Sequence, residues 1–439
     1  MSEDFLHYIW RCGLYDQRSL RDNFGNVIEV IRCGVLNDNA GPDFFNAMVR
    51  VDGTVFAGNV EIHINSSDWY RHGHHWDRAY DTVILQVVLN RDAEVRRTGG
   101  EIIPTAVISY DERLLVNYRQ LLNSDSLIAC RQFTSQVDPV QIRQWLDNLS
   151  LARLEGRAVI IREIRHHNNN CWEETLYQQL ARNFGFGLNG AVFEMLARSL
   201  PYKYLLRHRD NLFQLEALLF GQAGMLIDGM GTPAGAMKMT DFCGNDDYFG
   251  ALKREYSFLK SKYGLKPFAK HLWRFLRLRP SNFPTIRLAQ FAAFIHKKPS
   301  LFSEVIDSAD INSLSNIFRV SASEYWESHF MFGRPSVRSV KKLGVFAIRS
   351  IVINTVVPLL YFYGKQRNIA EYVRRARDFL IKLPPENNSI IRKWSELGVR
   401  AENACNSQAL IHLNNEFCLH RRCLECSIGS KIVNMHLEF

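Results

Sequence analysis

A chain of 439 residues with 46% hydrophobic and 23% charged side chains is too long for one small core and too apolar for a disordered polymer, so two or three folding units are expected. The net charge of +9 favours an anionic partner, and nine cysteines in a chain of this size fit free thiols or metal ligands in a reducing compartment, not a disulfide framework. The opening MSEDFLHYIWRCGLYDQ puts acids ahead of apolar residues, the reverse of a secretory leader. A cytoplasmic protein without a membrane partner is expected, because no run reaches the ~18–20 clean apolar residues of a spanning helix. Gly344 to Tyr363 comes closest, but Arg349 and Asn354 interrupt it and Pro358 breaks it, so it reads as a buried helix.

From Asp4 to Leu14 the spacing of Phe5, Tyr8, Ile9 and Cys12 predicts a helix. Strand-like segments follow at Val27–Val35, Phe44–Val51 and Val55–Ile64, the last two joined by the hairpin pair Asp52-Gly53. Trp69–Tyr80 is polar and histidine-rich, a loop with a short helix. Val83–Leu89 reads as a buried central strand, and Ile102–Ile108 as a further one. The expected fold is therefore an α/β module over residues 1–135 with a mixed sheet, then a mostly α-helical region over 136–439. Asp138-Pro139-Val140-Gln141 opens the helical part with an N-cap acid and a first-turn proline. Breaks are expected at His166–Asn170, Gly185–Gly190, Gly229–Gly235 and Leu278–Phe283.

The chemistry concentrates in Gly41-Pro42-Asp43 and Gly58-Asn59-Val60-Glu61-Ile62-His63. The hairpin brings Asp43, at the start of one strand, to Glu61, late in the next. Glu61 and His63 are two apart on a strand and share a face. Two carboxylates and an imidazole make an oxygen-rich pocket suited to Mg²⁺ or Mn²⁺, able to polarise a phosphodiester and acidify water. Nearby, Asp68 to Asp77 adds His72, His74 and His75, which could join His63 in a zinc or manganese site or gather beside the carboxylates. His72 and His74 are favoured over His75, and both are candidates for proton transfer.

Pro-Asp, a strand hairpin and Glu-x-His, in the order helix, three strands, linking segment, strand, resemble the PD-(D/E)XK nuclease superfamily over about residues 1–110. The resemblance implies that Asp43 and Glu61 bind metal and that the Ile62 carbonyl is a third ligand. It departs at His63, which stands where that superfamily has lysine. GPDFFNA, GNVEIH, SSDWYRHGHH, EALLFGQAG, RPSNFPTIRLAQ and CLHRRCLEC also resemble an uncharacterised bacterial family known only as a domain of unknown function.

Near the end, Cys418, Cys423 and Cys426 have the spacing C-x4-C-x2-C, with Cys405 upstream and His412 and His420 as further possible ligands. Thiolates so placed can hold zinc or an iron–sulfur cluster, and the group is similar to a three-cysteine group that holds an iron–sulfur cluster, with one upstream cysteine, in some PD-(D/E)XK nucleases. Between Tyr256 and Ser300 bases outnumber acids and aromatics interleave. Lys266, Lys270, Arg274 and Arg277 fall at helical spacing, a candidate stripe for phosphates, with Tyr263, Phe268, Trp273, Phe275 and Phe283 available for base stacking or for the core. Gly185-Phe186-Gly187-Leu188-Asn189-Gly190 spells GxGxxG but follows a helix, so it lacks the context of a dinucleotide site.

Three functions are weighed: a metal-dependent nuclease acting on nucleic acid, a non-catalytic nucleic-acid-binding or scaffold protein on a degenerate nuclease fold, and an unrelated histidine metalloenzyme. Asp43 pointing into solvent argues against the first. Histidines converging without the carboxylates argue for the third.

Overall fold

The computed structural model describes residues 2–37, 39–226, 246–298 and 300–435. These form two compact units: Met1–Trp145 with Leu413–Phe439, and Leu146–His412. The terminal segment, placed with the helical region by its composition, thus belongs to the first unit.

In the first unit, α1 (Glu3–Cys12) buries Phe5, Leu6, Tyr8, Ile9 and Trp10 and ends on Gly13 in the left-handed conformation that glycine adopts freely. The sheet has six strands: β1 (Ile28–Arg32), β2 (Val35–Leu36), β3 (Phe44–Val51), β4 (Thr54–Asn65), β5 (Val83–Asn90) and β6 (Thr105–Val107). Its order is β1-β3-β4-β5-β6, with β2 also on β3. Pairing is antiparallel from β1 to β4 and parallel from β4 to β6. Asp52 and Gly53 both take positive φ, 46° and 83°, as a two-residue hairpin turn with matched twist requires. The mixed sheet followed by helices is the architecture expected from the sequence.

A parallel pair cannot be joined by a tight turn, so the chain must cross over the sheet between β4 and β5. That crossover is the histidine-rich segment, with α2 (Asp68–Arg71) and two short 3-10 turns. The Ser-Ser-Asp run anchors its start. Ser66 and Ser67 hydroxyls bind the Asp92 carboxylate at 3.0 and 2.6 Å, and Asp68 accepts the Asn65 amide at 3.0 Å. Trp69 fixes its middle, buried with Val83, Val95 and Ile103, its indole N–H donated to the Arg96 carbonyl at 3.0 Å. Later, α3 (Glu112–Leu122) receives the terminal helix Ser427–Val433, whose last carbonyls Ile432 and Val433 accept from the buried Asn117 amide.

In the second unit the long helix α4 (Pro139–His167) runs on from the first, its start set by Asp138, whose carboxylate accepts the Val140 amide at 2.8 Å. α5 (Trp172–Phe184) and α6 (Phe186–Ser199) follow, joined at Gly185. GxGxxG is therefore a helix junction: a Cβ on Gly185 would lie 2.5 Å from the Asn189 carbonyl oxygen. The Gly229–Gly235 break lies outside the described residues. Val345–Arg367 is long and apolar enough by composition to span a membrane, yet 72% of its most apolar window is buried within the protein. Pro358 is accommodated by a π-turn at Val352–Val356. It offers no N–H to the Asn354 carbonyl, which accepts instead from Arg157 at 3.2 Å and Asn183 at 3.4 Å.

The stripe Lys266, Lys270, Arg274, Arg277 is corrected here. Helix Asp247–Tyr263 stops at Gly264, left-handed at φ 63°, and Pro267 follows, so no α-helix carries the four residues. Among the aromatics, Trp273 is core, donating to the Ala223 carbonyl at 2.8 Å, while Tyr263, Phe268 and Phe275 pack against the same cluster.

Candidate metal centre

β4 outlasts β3: their last pair is Phe44 with Val60, so Glu61, Ile62 and His63 run on alone along that edge. Asp43, just before β3, fills the gap. Its carboxylate accepts the Ile62 amide at 2.9 Å, and its own amide donates to Glu61 Oε2 at 3.0 Å. The two acids are interlocked at the carboxyl end of parallel strands, where open α/β sheets place their ligands. Asp43 stays on the site, its side chain 22% exposed.

The crossover lays its histidines over this end. Glu61 Oε1 lies 3.1 Å from His74 Nε2 and 3.6 Å from His63 Nε2. One ligand nitrogen from each of His63, His72 and His74 lies within 4.8 Å of the others, the group of this kind found among the described residues. His72 is the solvent-exposed member; His63 is 1% exposed and Glu61 4%. His75 turns away, its ring against Tyr70 and Trp76. Tyr80 stacks on His74 at 3.8 Å, and burial, then the charges of Glu61 and Asp43, push its phenol up to about 12. Sequence patterning missed His7 of α1, whose Nε2 lies 3.2 Å from Asp43 Oδ2. Burial opposes its protonation, but Asp43, Asp4 and Glu3 together raise its pKa. The signal was present as Glu3 and His7, four apart on one helix face.

Burial raises the Glu61 pKa, the His74 contact opposing and the Asp43 charge adding to it. Burial drives His63 down to about 3, with His74 and His72 reinforcing, so it is neutral. Its tautomer follows from its neighbours. Gln86 Nε2 lies 3.1 Å from His63 Nδ1 and 3.2 Å from the Ser66 carbonyl, which can only accept. Turning the amide would oppose two oxygens. The NH2 therefore faces Nδ1, Nδ1 accepts, and the proton sits on Nε2, facing Glu61. The Nε2 atoms of His7, His63 and His74 are buried beside carboxylate oxygens but outside hydrogen-bonding geometry. Buried nitrogens so left over next to two carboxylates fit a cation site, since orphaned polar groups are costly.

The other candidates separate. Cys418, Cys423 and Cys426 lie in the first unit, while Cys405 lies in the second, its sulfur 3.0 Å from Ser150 Oγ. Lys266, Arg274 and Arg277 are exposed on irregular backbone.

The fold and site define an α/β module with a carboxylate–imidazole cluster at the open end of its parallel strands, in one chain with a helical unit. The chain belongs to the family described as a protein of unknown function, DUF2851, whose family model matches residues 3–389. That span includes the cluster and stops short of Cys405 and the terminal cysteines. No curated protein and no solved structure matches the chain.

Proposed function

We propose that the protein is a divalent-metal-dependent phosphodiesterase acting on nucleic acid. The observation that carries this reading is the interlocked pair Asp43 and Glu61, with imidazole nitrogens converging on Glu61 Oε1. Asp43, Glu61, His72 and His74 would hold the ion. A donor set of carboxylates and imidazoles suits Mn²⁺ better than Mg²⁺. The Ile62 carbonyl would reach the same edge as its amide, because N–H and C=O of a strand residue point the same way. A divalent ion so held polarises a phosphodiester and acidifies an attacking water.

The protein's own groups have distinct work. The Ile62 amide and His7 hold Asp43 in place. His63, at the position that resembles the superfamily's lysine, presents an N–H to Glu61 and to any anion beside it, as a neutral donor. His72, open to solvent, can pass protons to bulk water. Tyr80 keeps His74 in position by stacking. The net charge of +9 accords with a polyanionic substrate.

A second reading, an imidazole-based metallohydrolase with another substrate, is favoured by the three histidine nitrogens within 4.8 Å. Cleavage of labelled single- and double-stranded DNA and RNA, with Mn²⁺, Mg²⁺ or chelator, separates the readings. Metal-dependent cutting abolished by Glu61→Ala supports the proposal. No cutting by folded, metal-loaded protein overturns it and leaves a binding or scaffold role; metal uptake lost only in His72→Ala and His74→Ala, without nucleic-acid cutting, favours the second reading.

A further inference from the structure

Four cysteines of the first unit come together from two distant segments. Cys130 sits in the turn-rich stretch between α3 and α4, and Cys418, Cys423 and Cys426 in the terminal stretch that returns to it. Cys418 is close enough to interact electrostatically with each of the other three, and Cys130 with Cys423 and Cys426. All four are buried or half-buried, and all are free thiols.

What surrounds them is not the environment of neutral thiols. The Cys426 sulfur accepts the backbone amides of Ile428 and Gly429 and faces the Trp145 indole N–H, whose nitrogen is buried with no other partner. The Thr134 hydroxyl lies 3.7 Å from the Cys130 sulfur. The Arg421 guanidinium acts on both Cys418 and Cys423; one of its nitrogens donates to the Ser124 carbonyl at 2.6 Å, while Nη1 is buried without a partner. A thiol is a weak acceptor, and buried thiols without a metal stay protonated. Several N–H donors and a buried cation gathered on four neutral sulfurs would be poorly satisfied. The same groups match a dense negative charge, as four thiolates on a metal supply.

The backbone agrees. Arg421 takes a left-handed φ of 55°, which a side-chain-bearing residue adopts only under constraint. A Cβ on Gly429 would lie 2.3 Å from the Cys423 carbonyl oxygen, so the terminal turn is wound tightly around Cys423 and Cys426.

We infer that Cys130, Cys418, Cys423 and Cys426 form a tetrathiolate metal centre that fastens the terminal segment to the α/β module. Soft thiolates select zinc or an iron–sulfur cluster. Sulfurs on one zinc stand about 3.8 Å apart, from a tetrahedron with Zn–S near 2.3 Å. No three of these sulfurs lie within 4.8 Å of one another. Thiolates on separate metal atoms of a cluster sit wider, so iron–sulfur is the better fit of the two. The centre is independent of the carboxylate–imidazole site.

The test is metal and sulfide analysis, with absorption spectra, of the full chain purified without oxygen, beside Cys130→Ser, Cys423→Ser and Cys405→Ser. Iron with acid-labile sulfide and a visible chromophore is expected; stoichiometric zinc without colour assigns the mononuclear form. Cys130→Ser and Cys423→Ser should lose that metal, Cys405→Ser should keep it, and Glu61→Gln should also keep it. Metal-free wild-type protein that unfolds cooperatively would overturn the inference. So would metal retained in Cys130→Ser but lost in Cys405→Ser.

Discussion

Glu61→Gln separates the stability of the metal-free fold from the capacity to bind an ion. Glu61 is 4% exposed, and burial raises its pKa, so the charged carboxylate weakens the metal-free fold. Because the folded pKa is raised, the stabilising contribution is complete below the unfolded value and fades as pH rises through the folded one. Glutamine keeps an acceptor for the Asp43 amide, now 3.0 Å from Oε2, and offers an NH2 to His74 Nε2. At pH 8 the metal-free variant should therefore be at least as stable as metal-free wild type, the gap closing toward acid pH. Metal reverses the ranking. An ion at 100 times its Kd adds about 2.7 kcal/mol to wild type, which for a unit of this size is about 5–11 °C in Tm. Scanning calorimetry of chelator-stripped protein with and without Mn²⁺ reads both effects. A variant that keeps the wild-type metal shift, or wild type with none at saturating Mn²⁺, refutes the reasoning.

Gly221→Ala should destabilise the second unit by about 3 kcal/mol in urea unfolding, because the new Cβ would lie 2.0–2.4 Å from ring carbons of buried Tyr256; a loss under about 0.5 kcal/mol would contradict the packing. Glu216 is fully buried, and burial lifts its pKa to about 7 although Tyr248 and Ser323 donate to it. Its contribution is present below about pH 4.5 and lost as pH rises through 7, so wild type should lose about 3 kcal/mol across that window relative to Glu216→Gln; parallel pH–stability curves would count against it. Nitrogen-15 spectra should show His63 neutral with its proton on Nε2 from pH 5 to 8, and a protonated Nδ1 would reverse the tautomer derived from Gln86 and Ser66.

The parts of this architecture that short-range rules govern were legible in the sequence. Asp52-Gly53 fixed the hairpin, since both residues tolerate positive φ, and the hairpin brought Asp43 to Glu61. The crossover was visible as a polar segment between two strands, though only the parallel pairing of β4 with β5 explains why it lies over the sheet and delivers His72 and His74. What failed depended on tertiary placement. His7 comes from a helix whose apolar stripe drew attention away from its polar edge. Cys130 is a single cysteine far from the terminal three, and nearness in sequence favoured Cys405, which the fold assigns to the other unit. The basic stripe failed on local chemistry that was readable: Gly264 and Pro267 end the helix before the second of the four residues is reached.

The departure at His63 is coherent with the rest of the site. A lysine there would set a full positive charge beside Glu61, His72 and His74, and that charge would repel a cation held by the same groups. A neutral imidazole with its proton on Nε2 keeps the hydrogen-bond donor and removes the repulsion. Burial at 1% exposure secures the neutrality, and Gln86 secures the direction of the proton. An all-oxygen site would suit a hard ion and tolerate a lysine at its margin. Imidazoles around Glu61 shift the preference toward Mn²⁺ or zinc, and a neutral donor at 63 is the choice consistent with that shift. Substitution at 63 and enrichment in histidine along the crossover are therefore one change in the chemistry of the site, made from two segments that the parallel strands bring together.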